Sequence, residues 1–193
     1  MIPFDRFTTV HFYPKIAEVR VNKLAANVIC ILLTVFFCVG GVLLVHMLPH
    51  YGEFAEWHAI PLLVLLVVFV LLHEVCHAVG LCLFARVRWA EIRFGFMWRA
   101  LIPYCHCTVP IQVSAYRRMT MLPLWITGGA SLLALLIFPT DVLGLLAGIV
   151  VAGCVGDVWV VLKLRRFSHD LWVQDSPSDI GCDVLASVTG TGP

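Results

Sequence analysis

Charge is what this chain has least of. Asp, Glu, Lys and Arg make up 13% of its 193 residues, against about a quarter in soluble domains. So small a share excludes an ordinary solvated surface. The formal net charge of +1 by itself says nothing about partners; no nucleic-acid partner is expected. The chain contains no internal repeat. Its eight cysteines fall mostly in or beside apolar runs, which argues for small buried residues and against a secreted disulfide framework. Residues 1–23 hold Arg6, Lys15, Arg20 and Lys23 together with Asp5 and Glu18. That is too long and too acidic for the positive region of a cleaved signal, so the apolar run that follows reads as a retained span.

What fills the space left by charge is hydrocarbon. Hydrophobic residues make up 61% of the chain and the mean hydropathy is +0.94. Four runs have spanning length, at about 26–48, 60–84, 119–138 and 142–162. The expected fold class is all-α and polytopic: one membrane domain over 1–193, with four transmembrane helices. Pro49 closes the first run and Pro139 the third, while Tyr51 and Trp57 are expected at the interface. Between the second and third helices, residues 86–118 are polar. Part of that section alternates apolar and polar residues and is rich in β-formers, which predicts one or two short strands, as a hairpin at the membrane surface. The tail 163–193 is polar and is expected to be disordered. Of the 13 Lys and Arg residues, 4 precede the first run, 6 lie in the central section and 3 in the tail. The two remaining loops have none. The positive-inside rule then places both termini and the central section in the cytoplasm.

Within the second run stands His73-Glu74-Val75-Cys76-His77, an H-e-x-x-H pattern written in full as H-E-x-x-H. On a helix, positions i and i+4 share a face about 6 Å apart, so both imidazoles can reach one tetrahedral zinc. The glutamate at the edge of that face can take a proton from a zinc-bound water. Ionisable groups in hydrocarbon are costly, so this is a functional-site pattern by default. The competing reading has the three side chains hydrogen-bonding neighbouring helices without a metal.

Two histidines leave a catalytic zinc one protein ligand short. Besides Glu74, the carboxylate inside the spans is Asp157. Counted from the outer ends of their spans, His73 lies about 20 Å deep and Asp157 about 24 Å, so the two can meet. Gly144, Gly148, Ala152 and Gly156 form a small-xxx-small series that permits close helix approach, and Gly153 lies one turn before Asp157. Alternatively, Asp157 pairs with Lys163 or Arg165. Other candidates for the third ligand are Glu91 and the Cys105-His106-Cys107 cluster, although C-x-C lacks the second pair of a structural zinc site. His46, His50 and His58 belong to the outer side; His11 and His169 belong to the flanking segments, where solvation is expected.

The motif helix, the polar β-forming insertion and the later Gly156-Asp157 together resemble site-2 protease-type intramembrane zinc metalloproteases. More closely, the chain resembles a little-characterised family of bacterial and archaeal membrane zincin peptidases. That resemblance rests on Tyr104-Cys105-His106-Cys107 with its nearby proline, on Gly156-Asp157, and on the tail from Trp172 to Gly181. It covers roughly residues 60–185. Classical site-2 proteases carry Asn-Pro-Asp-Gly at the aspartate, whereas here Asp157 stands between Gly156 and Val158. The resemblance implies a multi-pass protein of a prokaryotic cell membrane. It would hold one zinc ion (Zn2+) on His73, His77 and Asp157, use Glu74 as base, and cleave a membrane protein or peptide at the bilayer. A substrate must be unwound to be cut, and the 91–108 section could hold it by β-augmentation. A metal-binding or transport protein, and an inactive pseudoprotease that binds membrane partners, are the alternatives.

Overall fold

The computed structural model describes residues 14–49, 51, 59–97, 102–176 and 181–186. A strand, β1 (Lys15–Arg20), leads into α1 (Lys23–Met47), and α2 (Ala59–Gly80) follows. Strands β2 (Ile92–Met97), β3 (Ile102–Cys107) and β4 (Ile111–Gln112) precede α3 (Val113–Pro123) and α4 (Gly129–Ile137). Then come α5 (Asp141–Gly153), α6 (Val155–Leu164), β5 (Trp172–Asp175) and β6 (Gly181–Leu185). A π-helical turn, Leu81–Ala85, extends α2, and another, Leu124–Gly128, joins α3 to α4. The second follows Pro123, whose missing N–H loosens the ladder there.

Among the described residues, four helical stretches are long and apolar enough to cross a membrane: Leu24–Met47, Leu62–Ala85, Val113–Ile137 and Asp141–Leu164. Their ends are capped where the sequence supplies an oxygen. The Asn22 side chain accepts from the Ala25 N–H at 3.0 Å, and the Thr140 hydroxyl accepts from that of Leu143 at 3.4 Å. The third stretch starts at Val113, six residues before the apolar run suggests. Its first turns are amphipathic: Val113, Ala115, Tyr116 and Met119 are buried, whereas Arg118 is exposed. A pattern based on mean hydropathy misses such turns.

The small-residue series divides. Added Cβ atoms on Gly144 and Gly148 would lie 2.9 Å from the Gly41 carbonyl carbon and 2.6 Å from the Cys38 nitrogen, so these glycines bring α5 against α1. Gly153 and Gly156 face open space.

The β structure exceeds the expected hairpin. β2 and β3 form that hairpin, in register from Ile92↔Cys107 to Met97↔Ile102. A second, antiparallel sheet has the order β1-β6-β5-β4. The tail is therefore ordered as β5 and β6 across 172–175 and 181–185, contrary to the expected disorder, and the segment before α1 supplies the edge strand β1. These strands are short, and β1 and β6 pair across more than 150 residues, as in Val19↔Cys182. No local pattern announces such a pairing. Val19, Val173, Cys182 and Val184 pack with Ala78, Leu81, Tyr116 and Leu164 into one core, so the sheet closes over the motif end of α2. Asp183 sits between Arg20 and Lys15, 3.2 Å from the Lys15 Nζ.

At the end of β5, Asp175 joins three elements. The Tyr116 hydroxyl of α3 donates to its Oδ1 at 2.7 Å, and the Cys107 N–H of β3 donates to its Oδ2 at 2.8 Å. His106 Nδ1 lies 3.9 Å from Oδ2.

Two predictions follow from this packing. Gly148→Val should destabilise the protein by about 1–3 kcal/mol, because α1 backbone occupies the space; Gly153→Ala should cost nothing. Thermal unfolding in detergent compares the two. The second concerns pH. Burial holds the Asp175 carboxyl above its ordinary value of 3.8, outweighing the Cys107 and Tyr116 donors that favour the carboxylate. A folded-state value above the unfolded one stabilises the protonated form. That stabilisation is complete below the unfolded value and is lost as pH rises through the folded one. Asp175→Asn should flatten this part of the stability–pH curve, read as unfolding midpoints from about pH 3.5 to 7.

Candidate metal centre

In α2 the four-residue spacing puts the His73 and His77 rings on one face, with centroids 4.9 Å apart and Nε2 atoms 3.2 Å apart. From α6, Asp157 reaches the same point. Its Oδ2 is 3.2 Å from His73 Nε2, and its Oδ1 is 3.5 Å from His77 Nε2. Three side chains from two helices thus meet, with donor atoms of neighbouring side chains 3.2–3.5 Å apart. A tetrahedron with zinc–ligand arms of 2.0–2.1 Å has edges of about 3.3–3.4 Å, so these separations suit neighbouring ligands of such a site. The hydrogen bonding points the same way. Asp157 Oδ2 is buried, and despite its nearness to His73 Nε2 it has no hydrogen-bond partner among the described residues. A buried carboxylate oxygen without a donor is costly, and a cation held between the three side chains would satisfy it.

The run 142–162, expected as one helix, is interrupted at Cys154, where φ is −79° and ψ is 0°. This break lies three residues before Asp157 and gives Cys154 a place at the centre that Gly153 does not take. Cys154 Sγ is 3.9 Å from His73 Nδ1. His73, Cys154 and Asp157 also bring one donor atom each within 4.8 Å of one another. However, Cys154 faces the nitrogen opposite the one that His77 and Asp157 share, and one ring cannot hold a single ion with both nitrogens. The Nε2 side collects three donors, which leaves Cys154 to orient the imidazole from behind.

Glu74 stands beside these three side chains. It interacts electrostatically with His73, His77 and Asp157, and the backbone N–H of Cys105 in β3 donates toward its carboxylate. The hairpin therefore lies over the motif. Pro103 has no N–H, so Phe96↔Pro103 is a pair without ladder hydrogen bonds, and the alternation makes Phe94↔Cys105 and Ile92↔Cys107 the same. Cys105 and Cys107 thus turn their N–H and C=O groups away from β2. The partners agree: Cys105 N–H meets Glu74, Cys107 N–H meets Asp175, and Gln174 Nε2 donates to the Cys107 carbonyl at 3.0 Å.

The other candidates lie elsewhere. Glu91 is held by Arg88, through the guanidinium at 2.7 Å and the backbone N–H at 3.0 Å. Burial pushes the Cys105 and Cys107 thiols up to about 12, so both are neutral thiols at pH 7, and His106 pairs with Asp175. His46 bonds to Asp141 at 3.1 Å and stacks on Tyr51. His169 contacts Arg117 at 3.3 Å. Lys163, a possible partner for Asp157, instead donates to the Arg20 carbonyl at 2.6 Å. His11, His50, His58 and Trp57 lie outside the described residues. Sequence reasoning overlooked Cys154, Tyr116 and Asp175. Cys154 carried a faint signal, three residues before Asp157 and so on its face of a helix. Asp175 carried none beyond its place in the tail motif.

No curated protein and no solved structure matches the chain. Residues 65–172, more than half of the chain, match the family described as "Putative zincin peptidase". The matched region contains His73, Glu74, His77, Cys154 and Asp157, and a zincin family implies zinc and peptide hydrolysis. By this match the chain belongs to the zincin-like peptidase family.

Proposed function

We propose that this protein is an intramembrane zinc metallopeptidase of the site-2 protease type, with zinc held by His73, His77 and Asp157 and with Glu74 as the base. The observation that carries this reading is the meeting of three ligand-type side chains, from two apolar helices, with donor atoms 3.2–3.5 Å apart beside a fourth ionisable side chain. Zinc supplies a Lewis acid that acidifies water and polarises a carbonyl. The chain's own residues do the rest. The Glu74 carboxylate takes the proton of the attacking water and delivers it to the amine nitrogen as the peptide C–N bond breaks. Cys154 holds the His73 ring from its Nδ1 side. A site that only bound or transported metal would have no use for a base beside its ligands, and this favours the enzyme.

The proposed substrates are membrane-embedded or membrane-proximal peptides. The β1-β6-β5-β4 sheet joins segments from before α1, before α3 and after α6 at one end of the bundle. That arrangement supports the placement of both termini and the central section on one side, which the Lys and Arg distribution assigns to the cytoplasm. An extended substrate would pair with the edge of β3, where the outward groups of Cys105 lie beside Glu74. Ile92 and Phe94 turn their outward groups to the opposite edge, so proline at Cys105 is the more informative test of this clamp.

Metal analysis of the detergent-purified protein tests the centre. About one zinc per chain is expected in wild type and Glu74→Gln, and none in His73→Ala, His77→Ala or Asp157→Ala. Glu74→Gln should lower peptide cleavage by about 10²–10⁴-fold. A well-folded wild type without metal would sink the reading. Cys105→Pro removes one outward N–H at a position where the ladder needs none. It should raise KM for peptide substrates while zinc content stays at the wild-type level; an unchanged KM would remove β3 as the clamp.

A further inference from the structure

The outward edge of β3 is not open along its length. At Pro103 and Cys105 the backbone groups turn away from β2, and the Cys105 N–H meets Glu74 of the motif helix. At Cys107, two residues further on, both outward groups are taken by side chains of β5. Asp175 Oδ2 accepts from the Cys107 N–H at 2.8 Å, and Gln174 Nε2 donates to its carbonyl at 3.0 Å. One acceptor and one donor are what a neighbouring strand would offer at a single pairing position. The two side chains thus imitate a strand partner for one residue. The imitation is held firmly, because the Tyr116 hydroxyl donates to the other Asp175 oxygen at 2.7 Å and β5 is fixed by pairing with β4 and β6. Asp175 is 12% exposed and Cys107 1%, so water does not readily replace these bonds.

We propose that Gln174 and Asp175 are a register stop: they close the β3 edge at Cys107 and so fix where an extended peptide sits relative to the His73–His77–Asp157 centre. The inference rests on the peptidase reading and deepens it. A peptide added to β3 pairs at Cys105 and with the Pro103 carbonyl, displaces the Glu74 contact with the Cys105 N–H, and must leave the edge before Cys107. Strand pairing repeats every two residues, so an unblocked Cys107 would admit a second register displaced by about two residues. Gln174 and Asp175 therefore act on the position of cleavage and touch no reacting atom. They are positioning residues.

The test uses the full-length protein in detergent and a pool of synthetic mixed-sequence peptides, with products read by mass spectrometry. Wild type should cut each susceptible peptide at one bond. Asp175→Ala, which removes the acceptor facing the Cys107 N–H, should add a second cut displaced by about two residues. Gln174→Ala, which leaves the Tyr116–Asp175 bond in place, should do the same if the first variant does not fold. A readout independent of turnover comes from isotope-labelled cysteine amides in the Glu74→Gln background, which binds peptide without consuming it. Peptide addition should shift the Cys105 amide signal and leave that of Cys107 unmoved; with Asp175→Ala or Gln174→Ala added, both should move. A single unchanged cleavage position together with a silent Cys107 amide in folded variants would overturn the stop and leave the peptidase reading intact. A Cys107 amide that already moves in the Glu74→Gln background would also overturn the stop. No cleavage by zinc-loaded wild type and no amide shift at Cys105 would overturn the peptidase reading, and the stop with it.

Discussion

Burying two histidines and two carboxylates among apolar helices is the constraint on which the rest of this structure depends. Each group alone would be costly in so dry a place; together they are tolerable only if their charges and lone pairs face one another. His73, Glu74 and His77 are bound to α2 by their covalent spacing. Asp157 must come from another helix, and its oxygens arrive 3.2–3.5 Å from both rings. A local defect serves this meeting: at Cys154 the helical run breaks, so Cys154 meets one nitrogen of His73 and Asp157 the other.

Scaffolding follows the same logic on a larger scale. Glycines hold α5 on α1 by letting backbone meet backbone. For helices long and apolar enough to cross a membrane, such close packing supplies an association that lipid-facing hydrophobicity would not. At the motif end the structure changes character. The sheet formed by β1, β6, β5 and β4 packs valines against α2 and α3, while the hairpin lies over Glu74. This end is built from segments remote in sequence.

Particular elements show how legible the chain is. Four apolar stretches are plain from composition, since nothing else accommodates so much hydrocarbon with so little charge. The hairpin strands are visible in the alternation around 92–97. The start of α3 is not, because Arg117 and Arg118 lower the mean hydropathy of turns whose other face is buried. β5 and β6 are harder still. They are a few residues long and polar enough to pass for coil, and their pairing runs to β4 in mid-chain and to β1 at the far end. Asp175 illustrates the limit for sites: a lone tail carboxylate in the sequence, it ties α3 to β3 in the fold.

By itself, the sequence determined the helices, the pair of histidines with their glutamate, and the candidacy of Asp157, because composition and i, i+4 spacing are properties of local chain geometry. Only the tertiary structure decided that Asp157 meets both rings, that Cys154 backs one of them, and that the tail strand closes an edge beside the centre. These depend on distances between segments far apart in sequence, and such distances are set by packing.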